Sequence, residues 1–142
     1  MSIMRIIESR PQDVVSCTPQ HSVRQAAEIL AEHRIGAMPV LDGASVVGIF
    51  SERDLLYCVA REGEAVLARA VGEVMTAPAI TIESTADALH ALSLMTRRRI
   101  RHLPVVDGET LLGFVSIGDL VKFRIETIEA EAGYLREYIT LA

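Results

Sequence analysis

The segment Gly48–Asp54 combines residue types that could bind a sugar and an anion. Gly48 lies in the apolar run 46–50, near the end of a predicted strand, and Ser51 and Asp54 follow three residues apart. A glycine at the end of a strand permits close approach of the backbone. A helix beginning at Ser51 would present free N–H groups and a favourable dipole to an anion. The Asp54 carboxylate can accept two hydrogen bonds at once, which suits the vicinal hydroxyls of a ribose.

The same spacing also matches a capping box, which needs no ligand. In that motif the serine side chain and the acidic residue three positions later each bond the other's backbone N–H. The pair recurs as Ser116 and Asp119. Both interpretations stay open here, and one serine could serve both purposes.

An internal repeat organises the chain. Residues 35–43 (IGAMPVLDG) align with residues 100–108 (IRHLPVVDG) at an offset of 65, and the alignment continues without a gap through the two Ser/Asp pairs. One copy has only about 50 residues, too few to bury its own sheet. The sequence therefore predicts two similar halves that share one compact module.

Each half predicts the element order β-α-β-β-α. Apolar runs at 14–17 and 79–82 predict short strands, and the spacing of three and four predicts amphipathic helices. Those helices carry the apolar sets Val23, Ala26, Ala27, Leu30 and Leu89, Leu92, Met95. Asp42-Gly43 and Asp107-Gly108, each between apolar runs, predict hairpins.

These elements predict an α+β fold of two repeats packed sheet to sheet about a pseudo-twofold axis. Clefts would then lie between the repeats, bounded by strand ends and helix starts. The predicted divisions are repeat one at 1–62, a linker at 63–72, repeat two at 73–125 and a C-terminal helical extension at 126–142.

The doubled pattern Ile-x-x-x-Pro-Val-x-Asp-Gly, followed by Gly-x-x-Ser-x-x-Asp-Leu, closely resembles CBS repeats. The resemblance covers roughly residues 1–125. It implies the α/β-type CBS fold and a tandem pair, often called a Bateman module. It also implies clefts that bind AMP, ADP, ATP, S-adenosylmethionine or related ligands. With no other domain in the sequence, the chain looks like a stand-alone member.

The resemblance also implies roles for particular residues. Asp54 and Asp119 match the family's ribose-binding carboxylate. Arg53 matches a position where a basic residue meets phosphate, and Arg101 and His102 match positions that face the cleft. If a site combines elements of both repeats, as in the family, Arg53 and Arg101 could act on one phosphate group. The full set of candidate binding residues is Ser51, Arg53, Asp54, Thr76, Pro78, Ala79, Arg101, His102, Pro104, Ser116 and Asp119. Two alternatives stay open: Arg53 as a solvated surface charge, and His102 as a residue at the edge of the core.

Arg97-Arg98-Arg99 is the basic run of the sequence. At the end of a predicted helix these cations complement the dipole. Contact with phosphate tails is the second interpretation, and contact with nucleic acid the third. The net charge of -5 argues against nucleic acid, since a duplex-binding face is normally basic.

Cysteine, histidine and apolar content argue against several classes of protein. Cys17 and Cys58 form no disulfide or metal motif, and the four histidines have no metal-ligand spacing. No apolar run suits a signal peptide or a membrane span. We therefore expect a cytoplasmic protein that does not act on membranes.

The leading hypothesis is a regulatory module that senses an adenine nucleotide and catalyses no reaction. No cofactor is required beyond the nucleotide ligand, and an unidentified regulated protein is a further expected partner. The alternatives are a ligand-free adaptor, or a binder of S-adenosylmethionine or NAD(H).

The C-terminal segment predicts a helix with an apolar seam. Its seam residues are Val121, Ile125, Ile128, Ala132, Leu135 and Ile139. Their alternating spacing of four and three is typical of a coiled-coil seam. We therefore expect a homodimer with residues 121–139 in its interface. The alternatives are a helix that folds back on its own domain and a break at Gly133.

Overall fold

The computed structural model describes residues 2–9 and 13–141. The helices are α1 (Ile3–Glu8), α2 (Val23–His33), α3 (Glu52–Glu62), α4 (Val71–Val74), α5 (Ala88–Arg98) and α6 (Ile117–Leu141), with a 3₁₀ helix at Gly63–Ala68. The strands are β1 (Ala37–Asp42), β2 (Ser45–Ser51), β3 (Ile82–Glu83), β4 (His102–Asp107) and β5 (Thr110–Ser116). The predicted α+β class is confirmed, and the run α2-β1-β2-α3 recurs as α5-β4-β5-α6.

The two hairpins turn at the Asp-Gly pairs, as predicted. Gly43 and Gly108 each have a φ of 63°, which glycine adopts without the steric penalty of a Cβ. Pro39 and Pro104 occupy the same position in the register of β1-β2 and β4-β5. The sequence repeat is therefore also a structural repeat.

The hairpins join at their edges into one sheet, in the order β1-β2-β5-β4-β3. The junction is the antiparallel pair Ser45 and Thr110. These two residues are 65 positions apart, so equivalent residues of the two repeats pair with each other on strands that run in opposite directions. A twofold axis between the repeats produces this relation. The repeats thus meet through a shared sheet edge, a connection that the prediction of two packed sheets did not include.

The first strand of each half is shorter than predicted. In 14–17 only Cys17 forms a bridge, parallel to Val40, and in 79–82 the strand begins at Ile82. Val14, Val15 and Ala79 instead line cavities between the repeats. These apolar side chains form cavity walls, and their residues do not pair within a strand.

Two hydrophobic cores lie in the two halves, and each receives a short helix from the other half. Ile3 and Ile6 of α1 are buried in the second core, beside Met95 and Leu103. Val71 of α4 is buried in the first core with Phe50. Full burial of such a side chain stabilises the fold by about 1.5–3 kcal/mol. This exchange holds the two halves together as one unit.

The buried face of α5 differs from the prediction. Leu89 is 56% exposed, whereas Ala88, Ala91 and Met95 are buried. These three residues are the 65-residue counterparts of Val23, Ala26 and Leu30, which form the buried face of α2. The repeat therefore indicates the correct face, although the larger leucines suggested another.

Helix α6 continues through Gly133 without a break and reaches Leu141. Leu120 and Phe123 at its start pack on the second core. Beyond them Ile125 is 51% exposed and Leu135 62% exposed. The helix therefore does not fold back on its own domain.

Candidate functional site

The first cavity lies where β2 ends and α3 begins, and it has a volume of about 350 Å³. Its lining comes from both repeats. Seven predicted residues share it: Ser51, Arg53, Asp54, Thr76, Ala79, Arg101 and His102. Two predicted residues are not in its lining. Pro78 is an exposed neighbour of Ala79, and Pro104 is buried within β4.

Ser51 and Asp54 form the capping box. The Ser51 N–H donates to Asp54 Oδ2 at 2.9 Å, and the Asp54 N–H donates to Ser51 Oγ at 3.2 Å. Ser51 Oγ also donates to Asp54 Oδ2 at 3.0 Å. The capping interpretation is confirmed, and it holds the carboxylate of Asp54 at the mouth of the cavity. The cap therefore positions the group that the ligand interpretation needs.

Thr76 connects Asp54 to the other repeat. Its Oγ1 donates to Asp54 Oδ1 at 2.8 Å, so both carboxylate oxygens already accept hydrogen bonds within the protein. Two ionised oxygens offer about four acceptor positions, which leaves capacity for a ligand hydroxyl. Because the threonine and the carboxylate belong to different repeats, the site depends on the junction between them.

Gly48 allows this junction to form. A Cβ built on Gly48 would lie 2.6 Å from Met75 Sδ and 2.9 Å from the Thr76 carbonyl oxygen. The backbones of Ile49 and Thr76 exchange two hydrogen bonds of 2.9 Å. A glycine at this position predicted that another backbone lies close to it, and that backbone is the segment around Thr76. This contact brings the threonine to Asp54.

Four arginines line the first cavity, two more than predicted. Arg98 and Arg99 at the end of α5 join Arg53 and Arg101. Glu52 and Asp54 are the carboxylates of the same lining. Arg98 and Arg99 belong to the basic run at the end of α5. These two arginines therefore both complement the helix dipole and line the cavity. A guanidinium binds phosphate through parallel N–H donors, and this rim suits an anion.

His102 lies between two cavities and lines both. Its ring stacks on Phe114 at a centroid distance of 5.5 Å and an interplanar angle of 11°. Burial lowers the pKa of His102 and Arg101 lowers it further, while Asp119 and Glu52 act in the opposite direction. The residue is therefore both a packed wall and a neighbour of each cavity.

The second cavity, of about 340 Å³, lies at the equivalent place in the other repeat. Ser116 and Asp119 line it and form the same reciprocal bonds, at 2.8 Å and 3.1 Å. Leu112 and Phe114 of β5 add apolar surface. Ser116 and Asp119 therefore belong to a separate site, whereas the predicted residues Thr76, Ala79, Arg101 and His102 of repeat two line the first cavity.

The part of the chain that the structure describes contains no group of three or more His, Cys, Asp or Glu side chains arranged to hold a metal ion. Among residues 2–9 and 13–141, no helix has both the length and the apolar character needed to cross a bilayer. The cytoplasmic location stays a prediction from the sequence.

Comparison with known proteins decides the family. The family model described as "CBS domain" matches residues 6–61 and 71–126, which is most of the chain. The chain belongs to the CBS-domain family. The two matches coincide with the two halves of the structure, so this CBS-domain protein contains a tandem pair.

Curated relatives of this CBS-domain protein are longer than the chain. The CBS domain-containing protein CBSX3, mitochondrial, of Arabidopsis thaliana is 34% identical over 128 residues, covering 87% of the chain and 62% of the relative. Inosine-5'-monophosphate dehydrogenase of Mycobacterium tuberculosis is 38% identical over 113 residues, covering 78% of the chain and 20% of the enzyme. The chain spans less than two thirds of both relatives, so their activities do not transfer to it.

Solved structures with the same fold match along most of their length. The CBS-domain containing protein ATU1752 from Agrobacterium tumefaciens has a TM-score of 0.82 and 37% identity, covering 87% of this chain and 99% of that one. CBS domain protein PAE2072 from Pyrobaculum aerophilum, solved in complex with AMP, has a TM-score of 0.75 and 27% identity, covering 84% and 89%. The similar protein from P. aerophilum thus binds an adenine nucleotide.

Proposed function

We propose that this CBS pair is a regulatory module that binds an adenine nucleotide in the first cavity: AMP, ADP or ATP. The observation that carries the proposal is the rim of four arginines around a cavity that also holds the Asp54 carboxylate. The AMP complex of the similar P. aerophilum protein supports it. The module reports on the nucleotide and does not transform it.

Each part of a nucleotide has a partner of suitable chemistry in this lining. Asp54 accepts from ribose hydroxyls, using the acceptor positions that Ser51 and Thr76 leave open. Arg53 and Arg101 donate to the phosphate, which a guanidinium fork binds bidentately. Ala79 and Ile80 supply apolar surface for the base. The ligand then touches both repeats, so its binding can change how they sit together.

Calorimetry with AMP on the full chain tests the proposal. We expect Asp54→Ala to lower the affinity for AMP by about 10-fold or more, because a hydrogen bond to a charged group contributes about 1.5–3 kcal/mol. Asp119→Ala is the matched control, since it removes the same kind of cap from the other repeat. If both variants bind AMP equally well and merely unfold at lower temperature, Asp54 is a cap and not a ligand contact.

A thermal-shift panel separates the nucleotide sensor from its alternatives. AMP, ADP, ATP, S-adenosylmethionine and NADH are tested in parallel. A ligand at 100 times its dissociation constant should stabilise the fold by about 2.7 kcal/mol. A response to S-adenosylmethionine or NADH alone would replace the proposed ligand. No response from any compound would favour a ligand-free adaptor.

We also propose that the module forms a homodimer through its exposed apolar helices. Beyond Phe123, α6 shows Ile125, Ile128 and Leu135 to solvent, and on α3 Leu56 and Tyr57 are 65% and 57% exposed. Leu56 and Val121 are equivalent positions in the two repeats, so the exposed surface follows the pseudo-twofold symmetry. A second copy covers this surface, and an unidentified regulated protein reads the liganded dimer.

A further inference from the structure

The pseudo-twofold axis gives each cavity position a counterpart 65 residues away. Ser51 and Asp54 of the first cavity correspond to Ser116 and Asp119 of the second. Both pairs make the same two backbone bonds, with distances that agree within 0.1 Å: 2.9 and 3.2 Å in the first, 2.8 and 3.1 Å in the second. The framework that would hold a ribose is therefore present twice.

Among the described residues, the arginine rim of the first cavity has no counterpart around the second. Gly118 stands at the position equivalent to Arg53, and Gly36 at the position equivalent to Arg101. Arg34, the counterpart of Arg99, lies in a different groove beside Leu30 and Leu55. Among the described residues that line the second cavity there is no lysine or arginine. The two cavities therefore differ in the group that a phosphate would meet.

The second cavity instead carries negative charge. Asp13 and Asp119 are the carboxylates of its lining, and the counterpart of Asp13 in repeat two is the uncharged Pro78. A phosphate near two carboxylates is disfavoured by like-charge repulsion, and desolvation in a cavity strengthens that effect. The remaining walls include Val15, Leu112 and Phe114, which suit a flat base and an uncharged substituent.

We propose that the second cavity binds a nucleoside whose 5′ substituent carries no negative charge, while the first cavity binds the phosphorylated form. The proposal rests on the proposed function for the ribose-binding role of the capping-box aspartates. One chain then compares two chemical forms of related ligands. The discrimination comes from Arg53 and Arg101 in the first cavity, whose counterparts Gly118 and Gly36 carry no charge, and from Asp13 in the lining of the second.

Calorimetry on the full chain with adenosine and with AMP provides the first test. We expect AMP to bind at one site per chain and adenosine at two. Protein saturated with AMP should still bind one adenosine, and Asp119→Ala should weaken that binding by about 10-fold or more. Two AMP sites in the natural chain would overturn the proposal, as would the loss of all adenosine binding when AMP is saturating.

A gain of binding provides the second test. A Cβ on Gly118 would lie 3.6 Å from Ser116 Oγ, an ordinary contact, so the backbone at this position accepts a side chain. Gly118→Arg should create a second AMP site, and Gly118→Gln, which has similar length and no charge, should not. If Gly118→Arg folds and still binds one AMP, charge at this position does not select the ligand.

These measurements separate the two proposals. If AMP does not bind the natural chain while adenosine binds a site sensitive to Asp119→Ala, the function proposed for the first cavity fails and the second-cavity assignment holds. If AMP binds one site and adenosine competes for that site alone, the first assignment holds and the second fails.

Discussion

At the scale of single residues, the basic run Arg97-Arg98-Arg99 divides into two roles. Arg98 and Arg99 line the first cavity, whereas Arg97 is exposed on α5 and is not in that lining. We expect Arg98→Ala to lower the affinity for AMP by about 3- to 10-fold. The effect is limited because an exposed guanidinium is partly screened by solvent. Arg97→Ala is the matched control and should leave AMP affinity unchanged. Equal losses in both variants, measured by calorimetry, would show a general effect of charge.

We expect His102 to make the stability of the fold depend on pH. Burial lowers the pKa of its imidazole below the ordinary 6.5. The unfolded chain therefore binds more protons than the folded chain as the pH falls past 6.5, and stability present above that pH is lost. We expect thermal unfolding between about pH 7.5 and 5.5 to show a shallower pH dependence for His102→Gln than for the natural chain.

The control for this experiment is His90→Gln, which changes an exposed histidine on α5. The thermal stability of this variant should depend on pH as steeply as that of the natural chain. A His102→Gln variant with that same slope would show that burial of His102 does not contribute. The measurements are made without ligand, because a bound phosphate next to His102 would favour its protonated form.

At the scale of elements, the close approach of β2 to the segment around Thr76 is what assembles the first cavity. We expect Gly48→Ala to destabilise the fold by about 1–3 kcal/mol, because its Cβ would meet the Thr76 carbonyl oxygen at 2.9 Å. The variant should also bind AMP less tightly, since Thr76 moves away from Asp54. Urea unfolding and calorimetry measure the two effects.

Gly133→Ala is the opposite case and serves as the control. Nothing lies within 4 Å of a Cβ at this position in α6. Alanine should therefore stabilise the helix by about 1 kcal/mol and leave AMP binding unchanged. Similar destabilisation by both changes would indicate that the contact at Gly48 is not what limits the site.

The repeat predicts the elements well because it samples each one twice. The hairpins follow from Asp42-Gly43 and its copy, and the capping boxes follow from Ser51 and its copy. Two features were beyond the sequence pattern. The short helix α1 packs in the opposite half, and its few residues carry no periodicity that indicates a partner. Thr76 reaches Asp54 through tertiary structure, which local spacing does not encode.

At the scale of the whole molecule, pseudo-symmetry with unequal charge would let one fold bind the two kinds of ligand that we propose. The shared sheet edge at Ser45 and Thr110 and the exchanged helices join the repeats. His102 lies in the walls of both cavities. A ligand in one cavity would therefore contact a wall that the other cavity shares. A regulatory module needs such a connection to convert occupancy into a change of shape.

The length of α6 bears on assembly. After Phe123 the helix has few contacts with its own domain, yet its seam residues Ile128 and Ile139 are 49% and 71% exposed. An isolated apolar seam of this kind is unfavourable in water, and pairing with an identical helix would bury it. We expect a chain that ends at Phe123 to have lost its dimer or to dimerise more weakly.

Light scattering distinguishes the outcomes, because a single chain has a mass of 15.5 kDa and a dimer twice that. The full-length variant Ile128→Glu/Leu135→Glu should have the same effect, since it places charge in the seam without removing the helix. Glu126→Gln/Glu137→Gln changes residues between the seam positions and should leave the dimer intact. A shortened chain that remains a dimer of equal stability would assign the interface to another surface. The exposed face of α3 would then be the next to test, because Leu56 and Tyr57 are also large apolar side chains exposed to solvent.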